Sequence, residues 1–418
     1  MGENYSRRAH AKAQRRKGKI KILSSFPCTQ ITGSVKLSMM VLLTWIFSAT
    51  LFAVDVGLVL DQNAIVSGTG GDAAFGYNGI AIPRITGLIG DAGDFYISGG
   101  FNYKNDPWSL VPELLRTDIS WRMGSMDFTV GRMAYDDPLG YVASGLFDGA
   151  RFSQYTKIGT FSAGAWYTGL LYKERAKIEM TENERTANKT AIDYNDFSNT
   201  YYAPRRLLAA VDWEYKGFLD KAIARLSMIA QFDLTKEKLH SQYLAGKAIV
   251  PYGAFSIDFG GCFELIEANN KIGSAFATAF AAEAAPAWRN NVHYVSLGIK
   301  YTSGESDNVA AFMPLTTNAQ GQLLKLKPSG LTMLSIDYTV RLYETLSVGF
   351  YPAYFILNGS GSKGRNGGEI FSAVYWSPSP DISVNLGGGA SFGNVASTSF
   401  LGREAYWRVT LNVVLSLF

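Results

Sequence analysis

The residues able to do chemistry are few and scattered. The chain has three histidines, His10, His240 and His293. None stands at useful spacing from both an acid and a nucleophile, so no Ser–His–Asp arrangement is supported. No Cys/His spacing matches a metal site. Of the two cysteines, Cys28 lies ahead of an apolar leader. Cys262 is then a single thiol, read as a small apolar residue, and no disulfide framework can form. The glycine-rich stretches 67–71 and 359–368 lack the Lys-Ser/Thr of a phosphate loop and read as loop glycines. No cofactor and no covalent catalysis is implied.

What remains is charge, placed by phase. Six acids (Asp118, Asp148, Asp212, Glu214, Asp233, Asp337) and six bases (Arg122, Arg151, Arg225, Lys300, Arg341, Arg408) fall on the polar phase of alternating segments. On the wall of a wet pore, opposite charges set up a transverse field and hold a constriction hydrated, selecting by size and charge. The plainer reading is that they are solvated or mutually paired wall residues. Their balance argues against strong preference for either sign of ion.

The elements that would position these charges are strands. In 329–342, Leu334, Ile336, Tyr338, Val340 and Leu342 oppose Ser335, Asp337, Thr339 and Arg341. In 205–216, Leu207, Ala209, Val211, Trp213 and Tyr215 oppose Asp212, Glu214 and Lys216. A period of two with one apolar face is the strand signature. Mean hydropathy is only +0.02 and aromatics reach 13%. Alternation explains both, because a strand half in lipid averages to neutral.

The segments read as 54–66, 79–88, 94–103, 113–123, 126–134, 146–155, 158–171, 205–216, 221–234, 241–247, 253–266, 276–285, 291–302, 329–342, 345–357, 368–376, 380–391 and 405–418. A turn is placed at Gly124-Ser125 and another near Pro251. With both termini on one side, every connection on that side has about five residues or fewer, and the long ones fall on the other. The pattern predicts an all-β, transmembrane, antiparallel up-and-down barrel of eighteen strands, with sixteen as the alternative. Trp108, Trp166, Trp213, Trp288, Trp376 and Trp407, near segment ends, suit interfacial girdles or are ordinary sheet aromatics.

Residues 1–53 stand apart. They hold nine Lys/Arg and one acid, Glu3, leaving 30 bases against 34 acids in 54–418. The basic pI therefore belongs to the leader and implies no nucleic-acid partner. The apolar run 39–53 behind Lys36 reads as a signal peptide with cleavage after Ala53. Residues 1–35 then read as an extension of the gene's true start.

The closing segment Ala405-Tyr-Trp-Arg-Val-Thr-Leu-Asn-Val-Val-Leu-Ser-Leu-Phe418 resembles the last strand of Gram-negative outer-membrane β-barrels, in which a terminal aromatic is an assembly signal. The resemblance implies that Phe418 has that role, that the barrel-assembly machinery and outer-membrane lipid are partners, and that the protein resides in the outer membrane. Phe418 falls on the polar phase with Ser416, Asn412 and Arg408. Either a bulge near Val413-Val414 shifts the register or Phe418 aims inward. The stretch Gly131-Arg132…Asp137-Pro-Leu-Gly140…Gly145-Leu-Phe-Asp148-Gly-Ala150 resembles substrate-selective porins and alginate-exporter-like barrels over about twenty residues. The expected function is passive diffusion of small hydrophilic solutes. The rivals are transport of hydrophobic compounds such as fatty acids, and a surface adhesin. The charge-dense loop 172–204 reads as a solvent-exposed surface loop, with an inward-folded constriction as the alternative.

Overall fold

The computed structural model describes residues 54–417, apart from 70–71, 106–107, 219–220, 271–272, 307–308, 360–363 and 396–405. The leader and Phe418 lie outside the described residues. The rest forms one antiparallel sheet of eighteen strands in which each pairs with its sequence neighbours and β1 (Val54–Thr69) pairs with β18 (Tyr406–Leu417). The sheet therefore has no free edge, the condition for burying strands in lipid, where each unpaired backbone group costs several kcal/mol.

Between these lie β2 (Ala74–Ile89), β3 (Gly93–Asn105), β4 (Trp108–Met123), β5 (Met126–Asp136), β6 (Ser144–Thr156), β7 (Gly159–Tyr167), β8 (Arg206–Phe218) and β9 (Ala222–Asp233). They continue as β10 (Leu239–Tyr252), β11 (Phe255–Asn270), β12 (Gly273–Arg289), β13 (His293–Thr302), β14 (Leu331–Tyr343), β15 (Leu346–Leu357), β16 (Asn366–Ser379) and β17 (Ile382–Gly393). Each expected strand is present. The connections on one side shrink to two or three residues. Two on the other side, 106–107 and 271–272, are equally short. Near Pro251 the chain does not turn. β10 runs through it to Tyr252, and the turn falls at Gly253, whose φ of +60° suits glycine.

One phase of the alternation forms an apolar outer belt, for example Phe75, Leu114, Val211, Phe263, Ile299, Ile336, Leu386 and Leu411, all exposed. In β18 the pairing is unbroken from Tyr406 to Leu417 with β1 and from Tyr406 to Leu415 with β17, and Asn412 lies opposite both Asn63 and Asn385. There is no bulge at Val413-Val414. Leu411, Val413, Leu415 and Leu417 face out, and Arg408, Asn412 and Ser416 face the lumen. Trp108 and Trp376 are exposed on the outer face, but Trp166 is 1% exposed and belongs to an interior cluster, so it is no girdle residue.

Candidate functional site

Three long outer connections fold into the barrel. The loop 168–205, in which a surface position is the first reading from sequence, instead packs inward. Its charges are spaced by Leu171, Ala176, Ile178 and Met180, all buried against the inner wall with Leu208, Tyr243 and Ala279. Its polar groups are matched by polar groups on that wall. Arg175 makes paired bonds to the buried Glu113 of β4 at 3.0 and 3.1 Å, and Lys104 pairs with Glu174. The helix α1 (Lys173–Ala176) and α2 (Glu182–Lys189) lie within this loop, followed by a 3-10 turn (Tyr194–Asp196) and α3 (Phe197–Tyr201).

Helix α2 begins where the sequence says it should. Thr181 accepts from the Glu184 amide, and Glu184 accepts from the amides of Met180 and Thr181, closing a capping box. The same Glu184 carboxylate lies 2.6 Å from the fully buried Arg206 at the start of β8. Arg206 also donates to Gln231 Oε1 and the Leu239 carbonyl. At its other end α2 is capped by the buried Lys173, whose Nζ donates to the carbonyls of Ala187 and Thr190 at 2.9 and 2.7 Å. Burial holds the Lys173 pKa below its ordinary value.

The second loop, 137–143, is the centre of the Asp-Pro-Leu-Gly stretch. The Asp137 carboxylate accepts from the amides of Leu139, Gly140, Val142 and Ala143, shaping the loop into a knob. Tyr141 and Phe312 meet edge to face with ring centres 6.5 Å apart. The third loop, 303–330, spans from this knob to the opposite wall. Leu315 N donates to the Val142 carbonyl, Thr317 N to that of Lys177, and Asn318 Nδ2 to that of Gly140. Tyr243 donates to the Met313 carbonyl, and Met313 N to Glu264 of β11. At the far end the buried Glu369 of β16 accepts from the amides of Gln322, Leu323 and Leu324, and Arg408 of β18 donates to the Gln322 carbonyl.

These anchors bring three cations together. Lys177 and Lys325 are both exposed and both hold left-handed backbones, φ +49° and +47°. The Arg408 Nε is buried without a partner. Among the described residues no carboxylate pairs with Lys177, Lys325 or Arg408. Desolvation, with the charges of Arg408 and Lys177, holds the Lys325 pKa below its ordinary value. Its side chain is open to lumen water yet ringed by protein, which is how exposure and desolvation coexist in a pore.

The twelve charges singled out by phase divide. Asp118 is buried in the lumen wall against Arg116, whose Nη2 lies 3.1 Å from it. Arg122 pairs with Asp127 at 2.9 Å near the inner mouth. Arg151 donates to Ser162, and Asp212 accepts from Tyr135. Glu214 sits 2.7 Å from Arg225 and 3.0 Å from Lys216. Lys300 lies over the Tyr141 ring at 4.2 Å, donates to Gln320 and faces Glu283 at 3.8 Å. Asp337 and Arg341 follow the inward phase of β14, Asp337 opposite Ser296. Asp233 instead shapes the 234–238 connection, accepting from the amides of Thr235 and Leu239.

Asp148 is displaced outright. It shares the outward phase of β6 with Leu146 and Phe152, and its carboxylate forms a two-bonded pair with Arg132, both at 2.8 Å. Arg132 and Asp148 thus form an ion pair on the outer face of the rim, with Arg132 also donating to the Leu170 carbonyl. Sequence phase alone misses Glu113, Glu184, Arg206, Glu264 and Glu369, the loop anchors, and Lys177 and Lys325 at the constriction. Thr181-x-x-Glu184 was the available signal for one of these anchors, and Asp137-Pro-Leu-Gly140 for the self-bonded knob.

The two described histidines serve structure. His240 Nδ1 accepts from the Asp233 amide, and His293 stacks on Tyr338. Cys262 is a buried member of the interior cluster. Among the described residues no three His, Cys, Asp or Glu side chains are grouped to hold a metal.

No family model matches the chain, and no curated protein matches its sequence. Solved structures do match the fold. The chain is similar to OccK2 (OpdF) of Pseudomonas aeruginosa in complex with glucuronate, at 13% identity and a TM-score of 0.60, covering 87% of this chain and 98% of that one. It is similar to a BenF-like porin of Pseudomonas fluorescens at 10% identity and a TM-score of 0.63, covering 87% and 98%. OccAB1 of Acinetobacter baumannii aligns at 13% identity and 0.60, covering 87% and 97%. The closed eighteen-strand barrel is thus the porin fold of these outer-membrane proteins.

Proposed function

We propose that the chain is an outer-membrane channel for passive diffusion of small hydrophilic solutes, selected where the three inward loops narrow a mixed-charge lumen. The observation that carries the reading is the fate of those loops. They are bound to the inner wall through buried carboxylates (Glu113, Glu184, Glu264, Glu369) and present Lys177 and Lys325 to the lumen beside Arg408. Elsewhere many wall charges stand in opposite-signed pairs, such as Glu214 with Arg225 and Lys247 with Glu283, whereas here three cations meet without a paired carboxylate among the described residues. Similar barrels carry glucuronate and, in OpdK of Pseudomonas aeruginosa, vanillate. Both are carboxylates, and a solute with an anionic end fits the three cations here.

The remaining assignments follow the same reading. Residues 39–53 direct export and are removed near Ala53, Phe418 serves the barrel-assembly machinery, and the apolar belt contacts outer-membrane lipid. A carrier of fatty acids needs an apolar lumen path, whereas this wall carries Asp61, Asn63, Asn78, Asn102 and Arg116. Planar-bilayer recording of the purified protein tests the proposal. Stepwise ion conductance is expected, and its absence would reject the channel in favour of an adhesin.

A further inference from the structure

Four asparagines lie in register on four adjacent strands of the open wall. Asn385 of β17 pairs with Asn412 of β18, Asn412 with Asn63 of β1, and Asn63 with Asn78 of β2. All four are inward by phase and half-buried. Asparagine is depleted in strands, so four in one cross-strand row needs a cause. Mutual bonding is a weak one. Asn63 Nδ2 to Asn78 Oδ1 is 3.5 Å and Asn385 Nδ2 to Asn412 Oδ1 is 3.4 Å, at the outer limit for a hydrogen bond. Only Asn412 is well engaged, donating to Asp61 at 2.6 Å. Each carboxamide offers two donors and an acceptor with two lone pairs, so most of that capacity faces the lumen.

The row continues in both directions. Below, Asn385 pairs with Tyr375, Tyr375 with Ser347 and Ser347 with Arg341, beside the inner turn. Above, Asn78 pairs with Lys104, next to the outer end of β3. Because strands tilt by about 40° and lie about 4.8 Å apart, seven steps along this row climb about 20 Å through the membrane. The row is therefore a spiral track from mouth to mouth. Its neighbours on the wall are small or apolar apart from Asp61. Gly387, Thr410 and Ile65 form the row on one side, and Ser383, Val414 and Asp61 that on the other.

The geometry points to a hydrogen-bonding slide for polyhydroxylated solutes, sugars and sugar acids, along Asn385, Asn412, Asn63 and Asn78. Hydroxyl groups both donate and accept, as carboxamides do, and can pass from one to the next without losing all partners at once. The strand spacing is close to the width of one pyranose ring. The flanking Ile65 and Val414 meet the C–H faces of such a ring.

This slide rests on the channel reading, and the test separates the two. Proteoliposome swelling is measured with glucose and with hydroxyl-free betaine, alongside KCl conductance, for the wild type and for Asn63→Leu/Asn412→Leu, a near-isosteric change. Glucose flux is expected to fall about three- to ten-fold, the factor a net hydrogen bond is worth, with betaine flux and conductance essentially kept. The Asn63→Ser/Asn412→Ser variant, which keeps donors and acceptors, restores glucose flux and shows that the wall tolerates change at these positions. If the leucine pair fails to insert, Asn385→Leu alone is read in the same way. A fall in glucose flux only in proportion to betaine overturns the slide while leaving the channel. Absence of any wild-type current removes the channel and the slide with it.

Discussion

The two sides of the lumen solve opposite problems. From β5 to β12 the inner wall carries an apolar patch, with Met133, Phe147, Leu208, Ile229, Tyr243, Cys262 and Ala279 buried beneath the inward loops. From β17 through β2 the inner wall is a polar row open to water. A barrel of this width cannot fill its interior with wall side chains alone. One sector therefore binds folded loops as a core would, and the other keeps a wet surface. The difference lies in which side chains occupy an identical inward phase. Apolar or buried-acid residues recruit the loops, and carboxamides leave the wall bare.

The largest way to break this contrast is to remove a buried anchor. Glu184→Ala leaves Arg206 fully buried facing only Gln231, a backbone carbonyl and Asp233 at 3.6 Å. Losing one partner of a buried pair costs about 3–5 kcal/mol. The loop 168–205 should come away from β8. Limited proteolysis is expected to cut within it, and single-channel conductance to rise, with the barrel itself still resistant to heat. Unchanged protease resistance would show that the apolar cluster alone holds the loop.

A smaller effect is expected at the far end of the bridge. Glu369→Gln keeps one acceptor but loses the charge that binds three amides, each such bond contributing about 1.5–3 kcal/mol. The loop 303–330 remains held by Met313 and Asn318, so only its 320–326 end should loosen. Conductance is expected to rise less than in Glu184→Ala, with greater current noise. Lys173→Met, which strips the cap from α2, should rank with it in protease sensitivity but leave conductance nearer to wild type.

How much of this was legible follows from the same contrast. Strand number, the outer belt and the unequal sides came through because each rests on local alternation and on turn length, which a chain displays in one dimension. The constriction did not. The cues in 168–205 are Leu171, Ile178 and Met180 among charges, a mixture that suits a surface loop equally well until the wall beneath is known. Asp148 shows the opposite limit. Alternation along 146–155 puts it on the polar phase, but register against β5 sets it beside Arg132 on the outer face. Pairing partners decide orientation, and they are distant in sequence.

The smallest effect concerns sign selectivity at the constriction. Lys325 has Lys177 and Arg408 as its nearest charges, and the causes of its lowered pKa are desolvation followed by those two cations. A lowered lysine pKa means the charge is shed as pH rises towards, and before reaching, the ordinary value of 10.5. The local field that favours anions should therefore weaken in alkaline solution before surface lysines titrate. Reversal potentials under a KCl gradient are expected to show slight anion preference at neutral pH that declines on this schedule. In Lys325→Gln the preference should be smaller at neutral pH and flat over the same range. The shift should be modest, because an exposed charge in water contributes at most about 1 kcal/mol and the paired charges along the rest of the wall are unaltered. A variant that kept the wild-type pH dependence would remove Lys325 as the source of that dependence.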